Sequence, residues 1–364
     1  MPSSVETFIL QSLAASGAGW LSFAEVMRLA LYHPEYGYYS GNPQRIGRTG
    51  DFYTAVSVGP LYGQLLAAVA LETWDSLGRP DSFTIIEQGA HDGQLAADVW
   101  AGLRDGPLGE IARYCIVEPQ LGYQRAQQDR LVPLIGGRVS WAHDFAGLRA
   151  GGGAMFLCNE LLDAFPVHRL RWNGVAWEEI GVVREGDGLG FKPRAIPPGL
   201  LAEEAARLPE DLPLGYTTEV HPAAANWLHQ LCAQPFNGTI LIADYGYEAE
   251  EYYAPERSDG TLRRYHDHRV DGEVLRDLGE CDLTAHVNFT QVIDEAERGG
   301  FGVKRFMEQG RFLTHAAKPW LASLEGKPPS SATMALLRQF QTLTHPSHMG
   351  AAFRMLLLSN VSGS

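Results

Sequence analysis

Residues 85–95 combine carboxylates with glycines in a pattern that suits the binding of a small molecule. An apolar stretch ends in Glu87, a turn follows that contains Gly89 and Gly93, and the residues after it are typical of a helix. Glycine lets the backbone approach a ligand closely and adopt positive φ angles. Doubly wound sheets bind ligands at the carboxyl ends of their strands. We therefore predict a ligand site at this turn.

The turn does not match the pattern that binds dinucleotides. That pattern is G-x-G-x-x-G/A, with the pyrophosphate at a helix N-terminus. Counted from Gly89, its two later positions hold His91 and Gln94. S-adenosylmethionine has no phosphate, and needs a turn for its amino-acid end and an acid after the second strand for its ribose. Glu118 lies where that acid should be, and Asp144 follows the third strand, where it could hydrogen-bond an adenine amino group. An ordinary strand–helix turn with solvated acids is the alternative.

Strands that alternate with helices position these residues. The predicted strands are 83–87, 114–118, 139–141, 154–158, 239–243 and 353–359, and the helices between the first three are 94–103 and 120–131. Such alternation predicts a parallel sheet with helices on both faces. Residues 167–192 predict a β-meander with turns at 173–174 and 187–188, and residues 246–285 predict mostly loop.

Composition and charge exclude several classes of protein. The chain has 364 residues, of which 45% are hydrophobic, and a formal net charge of −14. This charge argues against broad nucleic-acid binding, because phosphates would not be neutralised. No apolar run approaches the roughly 18 residues of a membrane helix. The four cysteines form no C-x-x-C pair, so we expect neither disulfides nor a metal site.

The N-terminal residues lack the pattern of a secretory or organelle-targeting segment. We therefore expect a bacterial cytoplasmic location, and a mitochondrial one only if a presequence has been removed. The sequence does not determine the oligomeric state, and a homodimer is one of the states it allows.

Several separated segments now carry a resemblance to one family. They are Phe-Ala-Glu-Val-Met-Arg (23–28), His-Pro-Glu-Tyr-Gly-Tyr-Tyr (33–39), Gly-Asp-Phe-Tyr-Thr (50–54), Asn-Glu-Leu-Leu-Asp-Ala-Phe-Pro-Val (159–167), Ala-Asp-Tyr-Gly (243–246), Cys-Asp-Leu-Thr-Ala-His-Val-Asn-Phe (281–289) and Pro-Ser-His-Met-Gly (346–350). In this order and spacing the chain resembles the MidA-like S-adenosylmethionine-dependent methyltransferases. That family includes the mitochondrial complex I assembly factor, a protein-arginine methyltransferase, and its bacterial relatives.

The resemblance implies a class I, Rossmann-like methyltransferase core in an α/β fold. We expect residues 1–60 to form an N-terminal helical cap with a lid loop. Residues 61–364 would then form the methyltransferase domain, with insertions at about 167–235 and 246–285. S-adenosylmethionine is the implied cofactor, and an arginine on a protein partner is the implied substrate.

The chain departs from the family at its glycine turn. The family pattern after the first strand is Glu-x-Gly-Pro-Gly-Arg-Gly, whereas residues 87–93 are Glu-Gln-Gly-Ala-His-Asp-Gly. His91 thus replaces the central glycine. Its side chain could crowd the methionine end of the cofactor, or it could donate a new hydrogen bond to it. We expect the hydrogen bond, because neighbouring residues of the turn are also polar.

The family segment 159–167 contains the candidate catalytic residues. A guanidinium is protonated at any ordinary pH, so carboxylates are suited to hold it. We predict that Glu160 binds the substrate guanidinium and that Asp163 makes a supporting contact. Asn159 would help to orient these groups. The alternative is that Glu160 caps a following helix and that Asp163 is an exposed helix residue.

The family segment 50–54 precedes the first strand. Asp51 and Thr54 are candidate cofactor contacts if this segment folds over the cofactor as a lid. The alternative is a turn that leads into the next helix.

Two other functions remain open from the sequence. One is methylation of a small molecule or of a different side chain. The other is a catalytically weakened binding or assembly factor, for which the replacement of glycine by His91 is the supporting feature.

Overall fold

The structure is a computed structural model that describes residues 4–40, 54–149, 151–266, 269–326, 328 and 330–361. Its α-helices are α1 Ser4–Ala15, α2 Phe23–Tyr32, α3 Ala55–Val58, α4 Leu61–Ser76, α5 Gln94–Leu103, α6 Pro107–Ile111, α7 Leu121–Ile135, α8 Leu200–Ala205, α9 Pro222–Cys232, α10 Ala249–Tyr252, α11 Phe289–Arg298, α12 Gln309–Ala316, α13 Lys318–Ala322 and α14 Ser331–Thr344.

The strands of the described residues form three sheets. They are β1 Trp20–Ser22, β2 Phe83–Gln88, β3 Ala112–Val117, β4 Val139–Ala142, β5 Gly153–Asn159, β6 His168–Trp172, β7 Trp177–Glu185, β8 Gly188–Ala195, β9 Thr217–Val220, β10 Asn237–Tyr247, β11 Arg263–His266, β12 Arg269–Asp271, β13 Asp282–Thr284, β14 Val287–Asn288, β15 Gly302–Glu308 and β16 Phe353–Ser359.

The largest sheet has the strand order β4-β3-β2-β5-β10-β16-β15, and the short strand β14 pairs with the end of β10. Pairing is parallel from β4 to β10, and β16 is antiparallel to both of its neighbours. Without β16 this is the doubly wound order 3-2-1-4-5-6, and the last strand is inserted between the fifth and the sixth. The predicted doubly wound α/β fold is confirmed.

Burial explains why these segments form central strands. Phe83, Ile85 and Ile86 of β2 are at most 1% exposed, as are Phe156 of β5 and Ile242 of β10. A parallel sheet that is covered by helices on both faces needs such continuous apolar runs rather than alternating ones. The predictions for β2, β3, β4, β5, β10 and β16 are therefore confirmed. Their ends agree with the predicted ones to within two residues, except that β10 continues to Tyr247.

Contacts divide the chain into two units. The first comprises Met1–Phe52, Leu162–Leu228 and Gly246–Val292, and the second Tyr53–Leu161, His229–Tyr245 and Ile293–Ser364. The second unit contains the large sheet, except for the end of β10 and its short partner β14.

The first unit contains the N-terminal helices and two smaller sheets. One sheet has the order β1-β7-β6-β9 with β8 beside β7, and the other has the order β12-β11-β13. The Tyr39 hydroxyl donates to Asp282 Oδ1 at 2.9 Å, and the Tyr32 hydroxyl donates to the Ala164 carbonyl at 2.9 Å. These bonds connect the end of α2 and the turn that follows it to segments much later in the chain.

Three features of the structure differ from the sequence prediction. The meander β6–β8 is confirmed, but it gains β1 from the N-terminal region, which was predicted to be helical. Residues 246–285, predicted to be mostly loop, contain α10 and the small sheet β11–β13. The edge strand β15 was not predicted. Among the described residues, no helix is long and apolar enough to cross a membrane.

Candidate active site

The turn after β2 has the backbone conformation that its glycines indicate. Gly89 has φ +80° and Gly93 has φ +82°. A Cβ on Gly89 would lie 3.3 Å from Leu161 Cδ1, and a Cβ on Gly93 would lie 3.1 Å from Leu131 Cδ1. Both positions therefore favour glycine on two grounds, the left-handed backbone and the close packing.

His91 also has a left-handed backbone, with φ +46°. This region is uncommon for residues other than glycine, although histidine is among those that enter it more often. The imidazole lies with its centroid 5.6 Å from that of Tyr123, and Nδ1 is 3.7 Å from Asp92 Oδ1. The turn thus has the backbone conformation of a glycine turn, although His91 adds a side chain to it.

Asp92 fixes the second half of the turn. Its Oδ2 accepts from Arg130 Nη2 at 2.5 Å, and its Oδ1 accepts from the Gln94 amide at 3.1 Å. Arg130 Nε also donates to the Asp92 carbonyl at 2.9 Å. Although burial acts to raise it, the nearby His91 and Arg130 and the hydrogen bond from the Gln94 amide leave the pKa of Asp92 below its usual value. The charged carboxylate of Asp92 therefore stabilises the turn through its bonds to Arg130 and Gln94.

Glu118 follows β3 at the same edge of the sheet and is 7% exposed. Its Oε1 accepts from the Gln120 amide at 2.9 Å, and its Oε2 accepts from Gln127 Nε2 at 3.1 Å. Burial raises the pKa of Glu118, and these two bonds act against that rise. A carboxylate offers about four acceptor sites, so both oxygens keep capacity for a ligand.

Glu87 is nearly completely buried inside β2, one residue before its end. The Tyr114 hydroxyl donates to Glu87 Oε2 at 2.5 Å. Burial raises the pKa of Glu87 to about 7, and the hydrogen bond from Tyr114 limits the rise. Its contact with the cofactor stays a prediction.

The remaining predicted cofactor residues have the following positions. Asp144 is exposed and caps the short 3-10 helix Phe145–Gly147, since its Oδ1 accepts from the Gly147 amide at 3.2 Å. Thr54 caps α3 and accepts from the Ser57 amide at 3.2 Å. Asp51 lies outside the described residues. The contacts of Asp144 and Thr54 are those of helix caps, and their roles toward a cofactor stay predictions.

Asn159 and Glu160 form a corner after β5. The Tyr62 hydroxyl donates to Asn159 Oδ1 at 2.6 Å, and Asn159 Nδ2 donates to Glu160 Oε1 at 2.9 Å. Glu160 has φ +51°, a left-handed conformation. No helix begins there, because the next regular element after Asn159 is β6 at His168. The alternative that Glu160 caps a helix is therefore wrong.

Two bonds from β10 hold the backbone of this corner. The Glu160 amide donates to the Ala243 carbonyl at 2.9 Å, and the Leu161 amide donates to Asp244 Oδ2 at 3.2 Å. Asp244 is fully buried, and its Oδ1 accepts from the Tyr245 amide at 2.8 Å. The strained backbone of Glu160 is thus fixed on both sides.

Asp163 belongs to the first unit and is 6% exposed. Its carbonyl accepts from the Ala285 amide at 2.9 Å. It is neither helical nor exposed, so the alternative of a solvated helix residue is wrong. Its supporting contact with substrate stays a prediction.

The large sheet therefore brings most of the predicted residues to one edge. β2, β3, β4 and β5 are parallel, and the turn at Gly89–Gly93, Glu118, Asp144 and Glu160 follow their carboxyl ends. Gln127, Tyr62 and the role of Asp244 were not predicted from the sequence. Only Asp244 carried a signal, since it lies near the end of the predicted fifth strand in the family segment 243–246.

This edge fits S-adenosylmethionine. The two ribose hydroxyls are donors, and the Glu118 carboxylate is a buried acceptor with capacity left. Gly89 has a positive φ and no side chain, so its backbone can approach the amino-acid end of the cofactor closely. In the part of the chain that the structure describes, no group of three His, Cys, Asp or Glu could hold a metal ion.

Known proteins match both the sequence and the fold. The sequence profile of the S-adenosyl-L-methionine-dependent methyltransferases matches residues 65–307. The mitochondrial protein arginine methyltransferase NDUFAF7 of Rattus norvegicus is 27% identical over an alignment of 375 residues, which covers 93% of this chain and 81% of that protein. The Homo sapiens protein of the same name is 26% identical, with coverage of 93% and 80%.

A solved structure from Burkholderia thailandensis, bound to S-adenosyl-homocysteine, has a TM-score of 0.89 to this chain. It is 31% identical and the match covers 99% of this chain and 93% of that one. A native structure from the same organism has a TM-score of 0.85 and 30% identity, with coverage of 99% and 93%. The chain therefore belongs to the S-adenosyl-L-methionine-dependent methyltransferases, with a class I, Rossmann-like core.

Proposed function

We propose that the chain methylates an arginine side chain of a partner protein and that Glu160 holds the guanidinium. The observation that carries this proposal is the corner after β5. There a carboxylate is held on a left-handed backbone by Ala243 and is bonded to an oriented Asn159. Residues in such strained conformations are concentrated at functional sites, because the surrounding structure must maintain them.

A carboxylate is the group that recognises a guanidinium best. It can accept two parallel hydrogen bonds, which fix both the position and the plane of the bound group. Asn159 Nδ2 occupies one site on Glu160 Oε1 and sets the rotation of the carboxylate. Glu160 would therefore fix the plane of the guanidinium, and with it the direction of the attacking nitrogen. The relatives named as protein arginine methyltransferases support the same substrate class.

In this reaction the protein aligns the acceptor nitrogen with the methyl group and supplies charges that bind both reactants. S-adenosylmethionine supplies the methyl group, which a nitrogen takes from the sulfonium sulfur by in-line displacement. Glu118 would hold the ribose, and the turn at Gly89–Gly93 would receive the amino-acid end. Glu160 would hold the acceptor, and the supporting contact of Asp163 with the substrate stays a prediction. The acceptor proton has to leave at or after transfer.

Mass spectrometry tests the substrate class. The protein is incubated with a bacterial lysate and S-adenosylmethionine that carries a deuterated methyl group. We expect labelled methylarginine in at least one protein, and no label when the enzyme is omitted. Label only on other side chains or on small molecules would contradict the arginine proposal and favour the alternative substrates.

Calorimetry separates an enzyme from a binding factor. A methyltransferase should bind S-adenosylhomocysteine and transfer the label. If the protein binds this ligand but labels nothing in any lysate, the catalytically weakened assembly factor becomes the better account.

A further inference from the structure

One buried amide connects three of the strand ends that form the cofactor edge. Gln127 lies on α7 and is fully buried. Its Nε2 donates to the His91 carbonyl at 2.9 Å and to Glu118 Oε2 at 3.1 Å. Its Oε1 accepts from Trp141 Nε1 at 2.9 Å. The partners follow β2 and β3 or lie on β4.

The orientation of this amide is fixed by the chemistry of its partners. A carbonyl and a carboxylate only accept hydrogen bonds, so they require the amino group of Gln127. The indole of Trp141 only donates, so it requires the oxygen. The reversed amide would lose all three bonds, and a buried polar group without partners costs about 1–3 kcal/mol. Glutamine is therefore matched to the site at both ends of its amide.

The glycine turn allows this helix to come close. A Cβ on Gly93 would lie 3.5 Å from Gln127 Cα and 3.1 Å from Leu131 Cδ1. A side chain at this position would crowd Leu131, so glycine suits the close packing of α7 against the turn. The bond from Gln127 then reaches the backbone of His91, independently of the side chain at that position.

We propose that Gln127 is a positioning residue of the cofactor site. It holds the Glu118 carboxylate and the main chain of the His91 turn at a fixed separation, so that ribose and the amino-acid end are received together. This proposal rests on the predicted contact between Glu118 and the ribose. It goes beyond the residues that the sequence points to, because Gln127 itself need not touch the cofactor.

The same helix offers a matched control. Gln124 Nε2 donates to the backbone carbonyl of Glu118 at 2.6 Å, whereas Gln127 donates to its carboxylate. Both are glutamine amides that bond the same residue. Only Gln127 reaches the group that would bind the ligand, so the two leucine variants separate positioning from general packing.

The experiment measures the dissociation constant of S-adenosylhomocysteine by calorimetry, with thermal unfolding as the check on folding. Gln127→Leu should weaken binding about tenfold, as expected for loss of a hydrogen bond to a charged group. Gln124→Leu should weaken it by less than about threefold, since a neutral bond is lost. Gln127→Glu keeps the length and the acceptor for Trp141 but sets a second carboxylate beside Glu118. It should weaken binding more than the leucine change does.

A double-mutant cycle shows whether Gln127 acts through Glu118. In the Glu118→Ala background, Gln127→Leu should change the dissociation constant much less than in the wild-type protein. Equal effects in both backgrounds would overturn the proposal, as would wild-type affinity of a folded Gln127→Leu. If that variant does not fold, wild-type affinity of Gln127→Glu overturns it instead. The assay contains no methyl acceptor, so its result is independent of the arginine substrate. Wild-type affinity of Glu118→Ala would refute the ribose contact and the proposal with it.

Discussion

At the scale of single residues, left-handed backbone marks the site. Among the described residues, those other than glycine with positive φ are Arg79, His91, Glu160 and Asp277. Two of the four, His91 and Glu160, follow central strands at the edge where the predicted cofactor residues and the proposed acceptor residue lie. Each such conformation costs roughly 1–3 kcal/mol and persists only where neighbours hold it. At His91 the holding bond comes from Gln127, and at Glu160 it comes from β10.

We predict that His91→Gly keeps the turn but weakens cofactor binding. Relief of the left-handed strain, about 1 kcal/mol, is offset by the backbone entropy of glycine, so the free energy of unfolding should change by less than about 1 kcal/mol. Loss of the predicted hydrogen bond between the imidazole and the amino-acid end of the cofactor should raise the dissociation constant of S-adenosylhomocysteine about two- to tenfold. Calorimetry checks the affinity, and His91→Asn, which tolerates the same backbone, is the control. Tighter binding by the glycine variant would mean that the imidazole crowds the ligand.

The buried Glu87 predicts a pH-dependent stability. Its pKa of about 7 lies above the ordinary value of 4.5, so the folded protein binds more protons than the unfolded chain between these values. The contribution of Glu87 is therefore present at pH 4.5 and is lost as the pH rises through about 7. Relative to Glu87→Gln, the wild-type protein should lose up to about 3 kcal/mol of unfolding free energy between pH 5 and 8. Urea unfolding at both pH values measures this, and parallel pH profiles would contradict it.

At the scale of elements, the corner between β5 and β10 depends on a helix distant in sequence. Tyr62 on α4 is fully buried and bonds Asn159, which in turn bonds Glu160. Burial, with the negative charge of Glu160 next in importance, holds the pKa of Tyr62 well above its usual value, so the hydroxyl remains a donor. The helix thus sets the orientation of the proposed substrate carboxylate without touching the substrate.

We predict that Tyr62→Phe lowers methyl transfer without affecting cofactor affinity. The change leaves Asn159 free to turn, so the rate should fall about tenfold while the dissociation constant of S-adenosylhomocysteine stays the same. Thr73→Val on the same helix is the control. This variant also removes a buried hydrogen bond of a hydroxyl group, the one between Thr73 and Thr239, which lies at the other end of the sheet. Equal losses of transfer in both variants would mean that only stability matters.

Much of the fold could be predicted because the central strands are buried on both faces. The strands that escaped prediction lack that signal. β15 is an edge strand whose first three residues are exposed, so its sequence shows no apolar run. The hairpin β11–β12 is held by the bidentate pair of Arg264 and Asp271 rather than by apolar alternation. β1 has three residues, and its partner β7 is more than 150 residues away.

The candidate site was predictable to the extent that it lies at strand ends. Acids and glycines that follow strands, such as Glu118 and Gly89, can be found from the strand pattern alone. Gln127 and Tyr62 could not, because they reach the site from helix faces. Their partners are separated from them by up to 97 residues, and a buried glutamine or tyrosine has no spacing that indicates a partner.

At the scale of the whole molecule, charge points to the kind of partner. The chain has 43 acidic and 29 basic residues, which gives the net charge of −14. A protein of this charge attracts a basic segment over distances longer than a hydrogen bond. This supports an arginine-containing acceptor without specifying its sequence.

We predict that the Michaelis constant for a basic protein acceptor rises with salt. Between about 0.05 and 0.5 M salt, screening should raise it at least about threefold, while the turnover number changes less. Initial rates at saturating cofactor measure both constants. The affinity for S-adenosylhomocysteine, which has no net charge, is the control in the same buffers. A Michaelis constant that does not change with salt would exclude long-range attraction of the acceptor.

The proposed role of Glu160 is tested by Glu160→Gln, with methyl transfer and cofactor binding measured on the same preparation. Glutamine keeps the size of the side chain and removes the charge that would hold the guanidinium. We predict that methylation of arginine falls at least about 100-fold, while the dissociation constant of S-adenosylhomocysteine stays within about twofold of the wild type. Glu110→Gln on the surface of α6 should change neither quantity. Joint loss of binding and transfer in Glu160→Gln, or full retention of transfer, would contradict the proposed role of Glu160 in holding the guanidinium.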